Sequence, residues 1–104
     1  MDSALTAIGW LDPDVSGAAA QWDRAQVGRL ARRLGYELIW LPERTSVPLV
    51  DQVRTADVDA VLVPSPKHLD ALTLDCLSHI ADVETAMPRE TFARYFGGRR
   101  PCPA

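Results

Sequence analysis

The chain has few cysteines, and their scarcity excludes several classes of small protein. Among its 104 residues, only Cys76 and Cys102 are cysteine. Cys76 falls in a predicted helix and Cys102 near the C-terminus, so the two form neither a disulfide framework nor a zinc-ligand pattern. We expect Cys76 to be buried and Cys102 to be a free thiol.

Long apolar runs and a basic leader are also missing. No apolar stretch approaches the roughly 18 residues that a membrane span needs. The first three residues, Met-Asp-Ser, carry no basic group, which argues against a secretory signal. These absences favour a cytoplasmic protein that makes no contact with a membrane.

Lysine and glycine-rich phosphate loops are scarce as well. Ten arginines accompany a single lysine in an alanine-rich chain, a bias that favours a GC-rich, bacterial origin. Gly9 and Gly17 match neither the dinucleotide-binding spacing nor the P-loop spacing, so no cofactor is predicted. The net charge of −3 argues against strong non-specific binding to DNA, although the stretch 89–104 is rich in arginine.

The remaining pattern alternates strands with helices. Strands are predicted over 5–11, 36–41, 58–63 and 82–87, and helices over 18–34, 47–56, 67–80 and 88–96. Such alternation implies right-handed crossovers and a parallel sheet with helices on both faces. We predict an α/β three-layer sandwich with a four-stranded, mainly parallel sheet in the flavodoxin-like order 2-1-3-4. Residues 1–96 form this single domain, and residues 97–104 form a flexible tail.

Local signals support the helices. An apolar stripe of Val27, Leu30, Ala31 and Leu34 recurs at helical spacing. Gly35 follows it at the position of a C-terminal cap. Ser16, Ser46 and Ser65 each precede a predicted helix and are expected to cap it.

Three stretches of the chain resemble the catalytic domain of serine recombinases, the resolvase and invertase family. They are residues 7–10, 29–38 and 57–69, within a resemblance that covers roughly residues 5–80. The family opens with Ile-Gly-Tyr-x-Arg-x-Ser, and this chain reads Ile-Gly-Trp-Leu-Asp-Pro-Asp from Ile8 to Asp14. The resemblance implies a resolvase-like sheet and a site where the first and third strands end.

The departures from the family fall on its catalytic positions. By this resemblance Asp14 occupies the position of the nucleophilic serine, and Asp12 that of an arginine that binds the scissile phosphate. Lys67 and His68 replace an Asp-Arg pair, and Ala71 replaces a further arginine. Strand transfer needs a hydroxyl nucleophile and guanidinium groups around the phosphate, whereas two carboxylates repel it. The resemblance therefore implies a pseudoenzyme whose ancestral site is degenerate.

The carboxylates admit two other interpretations. Asp12 and Asp14 are typical of a turn that leads into a helix. They also suggest a Mg²⁺ site, since carboxylate oxygens are preferred ligands of that ion. We predict no metal site, and keep a small Mg²⁺-dependent enzyme as an alternative function.

Several side chains are candidates for contact with a partner. They are Trp10 and Trp22, the arginines Arg24, Arg29, Arg32 and Arg33 of the first long helix, and the aromatic residues Phe92, Tyr95 and Phe96 near the C-terminus. Exposed tryptophans act as anchors in protein interfaces. The sequence hypothesis is a non-catalytic module for protein interaction or regulation, with an unidentified protein partner. The same module is expected to self-associate into a homo-oligomer, since Phe92, Tyr95 and Phe96 lie close to the C-terminus and can cover an exposed face. A nucleic-acid-binding accessory role remains an alternative.

Overall fold

The computed structural model describes residues 4–42 and 46–94, which build one mostly parallel sheet. The strands are β1 (Leu5–Gly9), β2 (Tyr36–Trp40), β3 (Ala60–Val63), β4 (Asp82–Thr85) and β5 (Glu90–Phe92). The helices are α1 (Pro13–Ser16), α2 (Ala20–Leu34), α3 (Leu49–Ala56) and α4 (Ala71–Ser78). The order is β2-β1-β3-β4-β5, with β1 to β4 parallel and β5 antiparallel to β4. None of the helices within these residues is long and apolar enough to cross a membrane.

The predicted α/β class is confirmed. The prediction of a four-stranded sheet in the order 2-1-3-4 was wrong, because the described sheet has a fifth strand. Residues 88–96 were expected to form a helix, whereas β5 occupies part of that stretch. The hydroxyl of Thr85 donates to the carbonyl of Pro88 (2.5 Å) and accepts from the amide of Glu90 (3.0 Å). These bonds stabilise the turn that returns the chain beside β4. Long-range pairing therefore overrides the helix-start signal of Pro88.

Two apolar layers cover opposite faces of the sheet. One lies under α2 and contains the buried residues Ala7, Val27, Leu30, Ala31, Ala60 and Leu62. The other lies under α3 and α4 and contains Ile8, Val53, Val58, Val61, Val63, Leu77, Ala81 and Val83. All four residues of β3 are buried, as expected for a parallel strand covered on both faces. The predicted burial of Cys76 is also confirmed.

Local capping explains where the helices begin and end. Gly35 ends α2 in the left-handed conformation (φ 82°), as predicted. Ser16 and Ser46 do not cap the helices expected of them: Ser16 donates its hydroxyl to Asp23, and Pro48 precedes α3. The predicted helix 67–80 is divided because Asp70 accepts from the amide of Thr73 (2.7 Å) and starts α4 anew. That bond also lowers the pKa of Asp70.

The strand order fixes where a ligand would find a crevice. In the sheet, β2 lies on one side of β1 and β3 lies on the other, so the direction of the connections reverses at β1. In open α/β sheets such a reversal leaves a crevice outside the carboxyl ends of the two central strands. The loops that follow β1 and β3 meet there.

Candidate interaction site at the carboxyl edge of the sheet

A single hydrogen bond joins the loops that follow β1 and β3. The backbone amide of Asp12 donates to Nδ1 of His68 over 2.9 Å. Two of the sequence-predicted positions, 56 residues apart, are thus in direct contact. The contact joins the backbone amide of Asp12 to the imidazole ring of His68. The carboxylate of Asp12 forms a different hydrogen bond.

The carboxylate of Asp12 begins helix α1. Its Oδ1 accepts a hydrogen bond from the amide of Asp14 over 3.0 Å, and Pro13 follows at the first helical position. This is the usual arrangement of an aspartate before a helix. Asp14 is exposed. No group of three or more His, Cys, Asp or Glu residues among residues 4–42 and 46–94 is arranged to hold a metal ion.

His68 is buried at the centre of a small polar network. Its side chain is 3% exposed, and its Nε2 lies 3.9 Å from Oδ2 of Asp23. Burial lowers the pKa of His68, while the carboxylates of Asp23 and Asp12 act in the opposite direction. Because Nδ1 accepts the amide proton of Asp12, the neutral ring carries its proton on Nε2, facing Asp23. The hydroxyl of Ser16 donates to the same carboxylate over 2.5 Å.

The serines at this edge make hydrogen bonds of their own. Ser16 donates its hydroxyl to Asp23 rather than to a ring nitrogen of His68. Ser65 accepts from the amide of Lys67 over 3.3 Å and so caps the short turn Pro66–His68, as predicted. Ser16 and Asp23 were not among the predicted site residues, since no local pattern relates them to His68.

A cleft of about 230 Å³ opens beside the network, and its lining combines apolar and polar side chains. Val15, Trp22 and Met87 line it and are 44%, 53% and 58% exposed. They come from α1, α2 and the turn after β4. The amide of Met87 donates to the carbonyl of Pro64 over 2.8 Å, which ties that turn to the end of β3. The polar part of the lining consists of Ser16, Asp23, Gln26, Ser65, Lys67 and His68.

The other predicted residues occupy varied places. Arg29, Arg32 and Arg33 are exposed along α2, and Lys67 and Ala71 are exposed at the carboxyl edge. The guanidinium of Arg24 instead lies 4.2 Å from the centre of the Trp40 ring. Trp10 and Phe92 are partly buried against the layer under α3 and α4. Tyr95, Phe96 and the tail 97–104 lie outside the described residues.

Comparison with known proteins identifies no relative of this chain. No family model, curated protein or solved structure matches this chain.

Proposed function

We propose that this chain is a non-catalytic, resolvase-like α/β domain that serves as a protein-interaction or regulatory module. The cleft bordered by Val15, Trp22 and Met87 is its contact surface. The observation that carries the proposal is the convergence of three exposed apolar side chains on one cleft. Tryptophan and methionine are both enriched in protein interfaces, and an exposed apolar patch marks a contact site.

The polar groups at the same edge support a role without catalysis. The carboxylate of Asp12 caps a helix, and both ring nitrogens of His68 face groups of the protein itself. Asp14 offers a carboxylate where the recombinase resemblance places a nucleophilic hydroxyl. A domain with these groups presents a fixed surface and does not attack phosphate.

The partner that fits this surface is a protein with an apolar anchor, and a second copy of the chain is one such partner. The sequence predicts that Phe92, Tyr95 and Phe96 anchor a terminal helix through which the chain self-associates. Phe92 instead lies on β5 and packs against the core. Self-association would therefore use the cleft.

Site-directed photo-crosslinking tests this assignment. A photoreactive phenylalanine analogue replaces Trp22 in one variant and Thr55, exposed at the end of α3, in a matched control. In cells of the native host, the Trp22 variant should yield a discrete crosslinked species that the Thr55 variant lacks. Excess unlabelled wild type should suppress that species, whereas excess Trp22→Glu should not. Equal crosslinking at both positions, or equal competition by Trp22→Glu, would refute the assignment.

A second function, nucleic-acid binding, has one observation in its favour. Arg29, Arg32 and Arg33 are exposed on the same helix, whereas Arg24 is held over Trp40. A DNA mobility shift that persists at about 150 mM salt and is lost when all three are changed to glutamine would establish this role. Binding that disappears at this salt concentration would exclude it as the main function.

A further inference from the structure

A second cavity lies on the other side of α1 and is separate from the proposed interaction cleft. It occupies about 100 Å³ at the carboxyl ends of β1 and β2 and is open to solvent. Pro13 lines this cavity, whereas Val15 of the same helix lines the cleft. The remaining lining residues are Gly9, Trp10, Leu11, Arg24, Trp40, Leu41 and Pro42. The two surfaces can therefore be tested independently.

Gly9 allows the wall of this cavity to form. A Cβ atom at position 9 would lie 3.0 Å from both Cη2 and Cζ2 of Trp40, and 3.1 Å from Cδ1 of Leu38. These distances are tighter than most Cβ contacts, so a side chain at position 9 would force the indole of Trp40 or the side chain of Leu38 to move by a few tenths of an ångström. The guanidinium of Arg24 covers the same ring at 4.2 Å, within the range of a cation–π contact. Trp40 is thus held in place before any ligand arrives.

The lining defines the chemistry of the ligand. Leucine, proline and tryptophan side chains dominate it, and Arg24 is the charged residue among those that line it. An engineered cavity of about 150 Å³ encloses benzene. The cavity here is smaller, at about 100 Å³, but it is open to solvent, so it accepts part of a planar ring and leaves the remainder in solvent. The guanidinium favours a neutral or anionic substituent on that ring over a cationic one.

We propose that this cavity binds a small molecule with a single aromatic ring system, neutral or anionic. The indole of Trp40, fixed by Gly9 and Arg24, and the side chain of Trp10 provide apolar and aromatic contacts. Such contacts favour edge-to-face or offset packing of a planar ring. The cavity lies beside the crevice at the β1–β3 reversal where open α/β sheets receive small ligands, and Trp10 lines both. This site does not depend on the proposed interaction function.

Nuclear magnetic resonance of the tryptophan side chains tests the proposal. The indole N–H signals of Trp10, Trp22 and Trp40 are assigned with single Trp→Phe variants, and the probes are indole, indole-3-acetate and tryptamine. Indole should shift the signals of Trp10 and Trp40 in a saturable way and leave that of Trp22 in place. Indole-3-acetate should bind at least as tightly as indole, and tryptamine several-fold more weakly.

Two variants and a matched control complete the experiment. Gly9→Ala should weaken indole binding several-fold because the added methyl forces Trp40 to move by a few tenths of an ångström. Gly28→Ala is the control, since its Cβ would meet only Nη1 of Arg32 at an ordinary 3.8 Å. If Gly9→Ala does not fold, Trp40→Leu should show the same loss. Unshifted Trp10 and Trp40 signals at millimolar indole, an equal shift of Trp22, or unchanged affinity in the folded variants would overturn the proposal.

Discussion

The bond between His68 and the amide of Asp12 should make the stability of the domain depend on pH. Nδ1 of His68 accepts that amide proton only while the ring is neutral. Protonation turns both ring nitrogens into donors, so the bond is lost and the Asp12 amide is left without its acceptor. Leaving a partly buried donor unpaired lowers the free energy of unfolding by about 1–3 kcal/mol, which is the upper limit of the expected change. The Asp23 carboxylate, 3.9 Å from Nε2, offsets part of it.

The sign follows from the direction of the pKa change. Burial lowers the pKa of His68 in the folded state below its ordinary value of 6.5. The unfolded chain therefore binds the proton first as the pH falls, and the free energy of unfolding decreases. The stabilisation is complete above about pH 7 and is lost as the pH falls through 6.5 toward the folded pKa. Asp12, Asp23, Lys67 and Asp70 are the charged groups that border His68 or the crevice beside it.

Chemical denaturation at a series of pH values from 7.5 to about 5 measures this dependence, above the range in which most carboxylates titrate. His68→Asn can still present an oxygen to the Asp12 amide but does not titrate, so its stability should change little over this range. His79→Gln removes the other histidine of the chain and should keep the wild-type dependence. The reasoning fails if His68→Asn retains the full pH dependence, or if His79→Gln abolishes it.

Three further substitutions test the packing around the site. In a denaturation series, Arg89→Met should lower the unfolding free energy by about 2 kcal/mol, because it removes the 2.9 Å ion pair with the buried Glu84. Adding Glu84→Gln to this variant should recover much of the loss. Leu77→Ala leaves a cavity at a fully buried position and should lower the unfolding free energy by about 3 kcal/mol by the same measurement. A loss below about 1 kcal/mol would contradict this, because it would mean that the neighbouring side chains fill the cavity. Gly35→Ala should lower the unfolding free energy by about 1 kcal/mol, because its φ of 82° disfavours a side chain. Gly28→Ala, in the middle of α2, should leave the stability unchanged or raise it. A melting temperature that falls more for Gly28→Ala than for Gly35→Ala would contradict this.

Much of the parallel part of the fold was predictable because its signals are local. The buried residues of α2 follow the 3.6-residue period, and Gly35 is a cap that works through its own backbone freedom. The continuous apolar run of β3 indicated a strand covered on both faces. Such signals need no knowledge of distant residues, since each helix or strand carries its own period.

The last strand was missed for the opposite reason. Pro88 is a common first residue of a helix, so the stretch after it was interpreted as helical. In the structure Thr91 donates its hydroxyl to Glu84 over 2.6 Å, and Phe92 lies beside Val83 in the register of β5 against β4. These contacts exist only once β4 is in place. A three-residue strand has too short a pattern to be distinguished locally from a helix.

The sequence predicted that Asp12 and His68 lie at the same edge of the sheet, and the structure places them in contact. The recombinase resemblance and the rule for open sheets both pointed to the strand ends near Asp12 and His68. They did not show that His68 is buried with its Nδ1 on a backbone amide, or that Ser16 and Asp23 complete the network.

By itself the sequence determined the α/β class and the alternation of the first four strands with helices, whereas the resemblance to recombinases stays a prediction. The tertiary structure alone decided the fifth strand, the neutral buried histidine and the cleft shared by Val15, Trp22 and Met87. The physical reason is distance along the chain. Periodicity and capping act between residues a few positions apart, whereas burial, ion pairing and shared cavities depend on residues that meet only after the sheet has formed.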